Sequence, residues 1–248
     1  KNDLRLVALA LKPYQDQIKG IVVESTYNWY WLVDGLIEEK YKLHLANPSA
    51  IKQYSGLKHS DDVTDAFHLA NLLRLGILPT GYIYPKEERP VRELLRKRLQ
   101  LVQQRTAQIL SFQNLIARNL GKSMNVNAVK KLSEDDVAQL FQQEHLVVSG
   151  KASIATILFL SGRIQQLEKI IHKVAKLKGE YKLLKTVPGI WKILALTIMY
   201  ETGPIERFAK VGNYASYCRC VGSKRISNEK LKGRGNRRNG NKHLSWAY

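Results

Sequence analysis

The feature that most restricts how this chain can fold is a run of nine positions, Val91, Leu95, Arg98, Val102, Arg105, Ile109, Phe112, Ile116 and Asn119, spaced alternately four and three residues apart. Such steps average 3.5 residues and keep one stripe of a helix turned toward a partner along its length. A single long helix is expected from Val91 to Leu120. A second run, Ile154, Ile157, Ser161, Ile164, Glu168, Ile171 and Ala175, has the same steps, so the middle third reads as an antiparallel helical hairpin. Arg98 and Arg105 lie within the first seam, and a polar residue there often sets register or partner. The seam therefore suits a core-facing helix and a contact with another subunit about equally.

The segments before this hairpin alternate in character. Leu4, Val7, Leu11 and Tyr14 have helical spacing, "GIVVES" reads as a short buried strand ending at Glu24, "NWYWLVDGLIEEK" as a helix and "YKLHLAN" as a strand. Pro48 in "PSAIKQYSG" suits a first helical turn. A further helix opens at Asp62. This rhythm is that of an α/β domain, yet only two strands precede that helix, where such a domain wants at least three. The sheet's first strands are thus expected upstream of the sequence. Beyond Tyr181, two apolar helical stretches flank "VPGI", and from Cys218 the chain becomes rich in Gly, Asn, Lys and Arg.

Charge narrows the partners. Forty Lys and Arg against 21 Asp and Glu give a formal net charge of +19 and a pI near 9.9, which favours a polyanion, nucleic acid first, over a neutral small molecule. A membrane surface is disfavoured because the cations gather in the Gly- and Asn-rich tail instead of striping a helix face. No uninterrupted apolar run approaches the ~20 residues that span a bilayer, and no signal-peptide pattern opens the chain, so the reading is an intracellular protein. Cys218 and Cys220 are too close for an ordinary disulfide and too few for a zinc site, and are expected to be free.

Three groups of residues could carry chemistry. Glu24 ends a strand while Asp62 and Asp65 open a helix, positions that commonly line the carboxyl edge of an α/β sheet. Together they offer hard oxygen ligands for Mg²⁺ or Mn²⁺. Capping of the helix by Ser60, Asp61 or Asp62 explains the same acidic cluster without a metal. The "VPGI" turn, Val187 to Ile190, resembles a helix-hairpin-helix element whose backbone N–H groups at Gly189 and the next helix hold a phosphate, although Trp191 stands where a second glycine is usual. Between Arg219 and the end lie Lys224, Arg225, Lys230, Lys232, Arg234, Arg237, Arg238 and Lys242, opposed by Glu229, with Ser223 and Ser227 among them. Cations beside a serine can stabilise charge on an attacked phosphate, but a disordered basic arm would bind phosphates equally well.

Taken together, "VVESTYNWYW", "SDDVTDAFHLANLLR", "TVPGIWKILALTIMYETGPIERF" and "SKRISNEKLKGRGNRRNGNKHL" resemble, in order and spacing over nearly the whole chain, the DEDD-type transposases of the insertion-sequence family IS-one-ten (IS110), relatives of the pilin-gene invertase. The resemblance implies an α/β plus α fold in three parts. These are a partial RuvC-like, ribonuclease-H-like metal domain over residues 1–84, a helical coiled-coil region over 85–178, and a mostly helical transposase domain with its basic, serine-bearing tail over 179–248. It places the family's acidic residues on Glu24, Asp62 and Asp65, with Mg²⁺ or Mn²⁺ as cofactor, and its serine nucleophile on Ser227, with Ser223 as runner-up. It implies a transposase or site-specific recombinase that cuts and rejoins DNA, guided by an RNA from its own element, acting as a dimer or tetramer in the cytoplasm of a prokaryote, at the nucleoid. The family's first Asp, in a "G-[IL]-D" setting, has no counterpart before Glu24, and related sequences continue past "LSWAY". A fragment shortened at both ends is therefore expected, and a nucleic-acid-binding remnant without catalysis is the alternative.

Overall fold

In the computed structural model the described residues are 2–48, 50–51, 61–175, 177–222, 224–234 and 240–248. They fall into two compact units, one running to Lys86 and one from Glu87 onward.

The first unit is a small α/β layer. Helix α1, Leu4–Leu11, starts where Asp3 accepts from the backbone N–H groups of Arg5 and Leu6, so the carboxylate satisfies two donors that the first turn leaves without partners. A 3₁₀ turn over Lys12–Tyr14 follows, then β1, Ile21–Glu24. Helix α2, Tyr30–Glu38, leads to β2, Leu43–Ala46, which pairs with β1 in parallel, Ile21 opposite Leu43 and Glu24 opposite Ala46. Parallel pairing of consecutive strands needs a crossover, and α2 supplies it, burying Val33 and Leu36. Helix α3, Asp62–Arg74, packs on β1, and a two-residue strand, β3 at Thr80–Gly81, joins β2 in antiparallel sense. The sheet thus gains a third, antiparallel strand beyond the two read from the sequence. The helix expected to begin at Pro48 falls largely outside the described residues.

The second unit is built on two long helices, α4, Arg89–Leu120, and, after the short helices α5, Val126–Val129, and α6, Glu134–Leu140, α7, Glu144–Val174. Helices α4 and α7 run antiparallel: Arg98 meets Glu168 and, one heptad on, Arg105 donates to Ser161 at 3.2 Å. These are the polar seam positions of the two runs, and they pair within the chain. At one end Ile109, Phe112 and Ile116 pack with Ile154 and Ile157, and α5 and α6 close that core with Val129 and Val137. At the other, Val91 and Leu95 pack with Ile171. The seam's margins differ from a strict 3.5-residue repeat. Leu99 and Leu160 are buried whereas Asn119 is exposed, because a straight helix drifts by roughly 20° per heptad relative to that repeat.

By length and composition α7 is, among the described residues, the helix apolar enough to cross a membrane, which the reading of uninterrupted runs overlooked. Its Ile154 and Ile157 are fully buried in the core shared with α4, while Leu158, Phe159 and Ile170 are exposed.

Helices α8, Gly179–Leu184, and α9, Lys192–Thr202, lie on the Val91–Ile171 end, where Tyr181, Ala195, Leu196 and Met199 complete the core. After a 3₁₀ turn at Ile205–Arg207, α10, Val211–Tyr217, leads into the tail. The tail is not wholly irregular or helical. It forms a hairpin of β4, Lys224–Ser227, and β5, Lys230–Arg234, before a closing helix α11, Lys242–Ala247, whose Leu244 and Ala247 pack on Ile198.

Candidate functional site

In the first unit the alternation of a strand sorts its side chains by face. Gly20, Val22 and Glu24 share one face of β1, and α3 lies on that face: a Cβ on Gly20 would come within 3.6 Å of Leu73, and Val22 lines the same hollow as Ala66, Ala70 and Leu73. With its last turn at the start of β1, α3 has its first turn toward the strand's end. Asp65 lies about 12 Å back along the helix from Leu73, and Glu24 about 13 Å along the strand from Gly20, so the two reach the same level.

Asp61, not Asp62, caps this helix, accepting from Thr64 N–H at 2.7 Å, and that bond holds its carboxyl below the usual carboxylate range. Ser60 lies outside the described residues. The capping bond thus falls to Asp61, and Asp62 and Asp65 stand three apart on one face of the first turn, where the helix dipole also favours negative charge. The donor chemistry, carboxylate oxygens at a sheet end, suits a hard divalent cation. Among the described residues, however, no three His, Cys, Asp or Glu side chains gather closely enough to hold a metal ion. The elements present Glu24, Asp62 and Asp65 toward one end of the sheet without closing them into a cage.

In the second unit Ser227 ends β4, immediately before a two-residue turn, Asn228-Glu229, in which both residues have positive φ, 50° and 59°. Such turns match the right-handed twist of paired strands. The pairing fixes what surrounds the serine. Ser227 is opposite Lys230 and Lys224 opposite Arg234, while Ile226 is opposite Leu231. Cross-strand partners share a face. A bulge opposite the Arg225–Ile226 step inserts Lys232 as the extra residue of β5, so β4 keeps its alternation: Ser227 shares its face with Lys230, and Lys224 lies on the other face with Ile226. Ser227 thus faces the same side as its partner Lys230, Lys224 lies on the side of Ile226 and Leu231, and Lys232 sits in the bulge; all six are exposed.

The hairpin is fastened at its base. Asn241 N–H donates to the Tyr217 carbonyl at 2.6 Å, and Arg219 donates to the Gly240 carbonyl at 3.2 Å. Gly240 has φ +83°, and a Cβ there would lie 2.6 Å from the Tyr217 oxygen, so both the turn and the close approach require glycine. The Asn241 side-chain amide donates to Glu201 at 2.7 Å and to the Tyr217 hydroxyl at 3.2 Å.

Glu201, on α9 and 1% exposed, is the residue that sequence reasoning missed. Arg92 reaches it at 3.0 Å and Arg96 at 2.6 and 2.9 Å. Burial pushes its carboxyl up, but the Arg96 hydrogen bonds, the charges of Arg92 and Arg96, and Asn241 outweigh burial and bring it to about 2. The signal available in sequence was an acidic residue inside the apolar run "KILALTIMYET", which needs a cationic partner when buried.

The remaining candidates are dispersed. Gly189, φ +87°, sits in the turn between α8 and α9 with open space around it, and exposed Trp191 precedes α9, whose first turn has no side-chain cap. Lys242 opens α11 and is exposed. Arg225 and Arg234 take part in the strands through their backbones. Ser223, Arg237 and Arg238 lie outside the described residues. Cys218 is buried and Cys220 exposed, both free.

Comparison with known families agrees over most of the length. A family model described as "Transposase" matches residues 2–118, and one described as "Transposase IS116/IS110/IS902 family" matches residues 181–248. No curated protein matches the chain.

Proposed function

Because the chain belongs to the IS110-type transposases, enzymes of DNA transposition and recombination, we propose that it cuts and rejoins DNA with Ser227 as the nucleophile and Glu24, Asp62 and Asp65 as the acidic residues of a Mg²⁺ or Mn²⁺ site. The observation that carries this reading is the exposed hairpin tip at which Ser227 stands directly opposite Lys230, with Lys224 and Lys232 on the same short hairpin. In the proposed step the Ser227 oxygen forms a bond to a DNA phosphorus, the bridging oxygen of the cut strand leaves with the bonding electrons, and the serine proton passes to solvent or base. The lysines stabilise the charge that develops on the phosphoryl oxygens but cannot supply the attacking oxygen. Divalent ions, when bound, would act as Lewis acids on phosphate oxygens. For the protein's own part, Glu24 and the Asp62–Asp65 pair supply the oxygens, and Asp61, engaged in capping, keeps the helix start fixed.

The family further supports an RNA guide, a RuvC-like character for residues 1–84, a coiled-coil role for residues 85–178, a transposase domain over residues 179–248, and assembly of two or four subunits. Phosphate contacts would come from the Gly189 turn, Lys224, Arg225, Lys230, Lys232, Arg234, Arg237, Arg238 and Lys242. A second reading, a nucleic-acid-binding protein without catalysis, is favoured by the lack of a closed acidic cage among the described residues.

Covalency separates the two. With Mg²⁺ and DNA carrying the element's ends, a denaturation-resistant protein–DNA adduct should form and map to the Ser227 peptide by mass spectrometry. The adduct should vanish in Ser227→Ala while DNA binding changes little, since a surface hydroxyl typically contributes within ~0.5 kcal/mol. An adduct on Ser223 would move the nucleophile, and cleavage surviving loss of both serines would assign attack to water. Independently of turnover, Mn²⁺ titration followed by electron paramagnetic resonance should show binding that Asp62→Asn with Asp65→Asn abolishes; unchanged binding would place the metal elsewhere.

A further inference from the structure

A cleft of about 550 Å³ lies in the second unit between the exposed side of α4 and helix α11. The cleft includes neither the serine hairpin nor Glu24, Asp62 and Asp65, shares Lys242 with the proposed phosphate contacts, and also has Glu93, Arg96 and His243 in its wall. The buried Leu99 lies at its base, Gln100 and Gln103 stand along α4 with Lys97, and Lys242 and Trp246 come from α11. The volume is that of a small-molecule site, within roughly 300–1,000 Å³, and the chemistry is mixed in a particular way. Trp246 is 39% exposed although its helix is anchored by buried Leu244 and Ala247, so an indole held by a rigid support presents surface to the solvent side. Two amides stand three residues apart on one helix face, and the Gln100 oxygen accepts from Lys97 at 3.0 Å. Two ammonium groups flank them.

We infer that this cleft takes one unpaired nucleotide of a single-stranded segment, its base stacked on Trp246 and read by Gln100 and Gln103, its phosphates held by Lys97 and Lys242. A base within a duplex has both faces covered by its neighbours and cannot enter; an unpaired one has a free face, and aromatic side chains bind such faces with little regard to sequence. Amides three residues apart can add a preference by pairing with the base's edge. An apolar ligand would leave Gln103 and Lys242 unused, and a bare phosphate would leave the indole unused. The inference rests on the reading of the chain as a nucleic-acid enzyme. The shared chemistry, a base with flanking phosphates, could come from RNA or from a displaced DNA strand.

The test uses the whole chain and short single-stranded oligonucleotides carrying 2-aminopurine, one of ribose and one of deoxyribose, with duplex DNA as the reference. Stacking on Trp246 should quench the 2-aminopurine. Trp246→Ala should remove the quenching and weaken single-strand binding about 5- to 150-fold, with Trp246→Phe intermediate, while duplex binding is unchanged. Should Trp246→Ala fail to fold, Lys97→Ala with Gln103→Ala, both exposed positions, provides the same test: the single-strand salt slope should shallow by about 0.7 for the lost phosphate contact. Response of one oligonucleotide alone identifies the source as RNA or DNA. Single-strand binding and quenching that persist unaltered in these variants would overturn the inference, as would binding of duplex without any binding of single strands, an outcome that leaves the proposed function standing. Absence of binding to every probe would remove both.

Discussion

Glu201 ties three distant parts of the second unit to one carboxylate: Arg92 and Arg96 from α4, and Asn241 from the end of the tail. Its apolar neighbourhood marks it as a charge in need of a partner but cannot name that partner, because the partners are more than 100 residues upstream and 40 downstream; a buried charge is explained only by what the fold brings to it. The opposite holds at Asp61, Asp62 and Asp65. Their clustering was plain in the sequence, while the division of labour, with Asp61 as cap, needed backbone geometry. The Glu201 cluster also sets a pH response. Its carboxyl is held at about 2, below the ordinary ~4.3, so it contributes stability above about pH 4.3 that is lost as pH falls toward 2. His243, beside it, is pushed down to about 4, chiefly by burial, so below about pH 6.5 the unfolded chain takes up a proton that the folded one refuses, and stability declines from there to about pH 4. Tm measured against pH should therefore fall in two successive stages. His243→Gln should flatten the upper stage, and Glu201→Gln the lower, the latter also costing about 3–5 kcal/mol at neutral pH by leaving two arginines without their counter-charge. A Tm that is flat from pH 6.5 to 4 in the unaltered protein would contradict this.

At the scale of elements, the pairing of α4 with α7 was the most legible part of the chain, since a 3.5-residue repeat states both the helices and the stripe they bury. What it did not state was the partner. Arg98 and Arg105 find Glu168 and Ser161 within the same chain, which settles the seam as internal. Magnitudes assign the roles. The Arg98–Glu168 pair is 17% and 30% exposed and contributes roughly 0–1 kcal/mol, whereas fully buried Phe112 contributes several times that. Phe112→Ala is expected to lower unfolding free energy by about 3–5 kcal/mol, and Arg98→Ala by less than about 1 kcal/mol, in denaturant titrations. Equal losses would mean that register, and not burial, dominates. The tail hairpin was illegible for a related reason. Its strands are Lys- and Arg-rich and neither face is buried, so the alternation that reveals a strand by its hydrophobic face is missing, and the turn uses Asn-Glu where Asn-Gly is the usual signal.

For the molecule as a whole, the charge of +19 was the sequence's most direct statement of function, and the family matches at both ends agree with it. The charge is unevenly used. Arg92, Arg96 and Arg98 are engaged with carboxylates inside the second unit, while Lys224, Lys230, Lys232 and Lys242 are exposed. Binding to duplex DNA should therefore weaken steeply with salt, with a log–log slope of about −0.9 per neutralised phosphate. Replacing Arg237 and Arg238 with alanine should shallow it by close to two such steps, as measured by fluorescence anisotropy across a salt series; an unchanged slope would place the phosphate contacts elsewhere. The closed base of the hairpin carries a different kind of consequence. The segment leaves the helical unit at Arg219 and rejoins it at Gly240 through contacts that fasten both ends at one point. A loop whose ends already meet pays little for extra length, about 0.6 kcal/mol for each doubling. The arm can therefore lengthen, shorten or take on new residues at its tip while the helices that anchor it keep their packing. That makes it the part of this protein where variation in reach comes at least risk to folding.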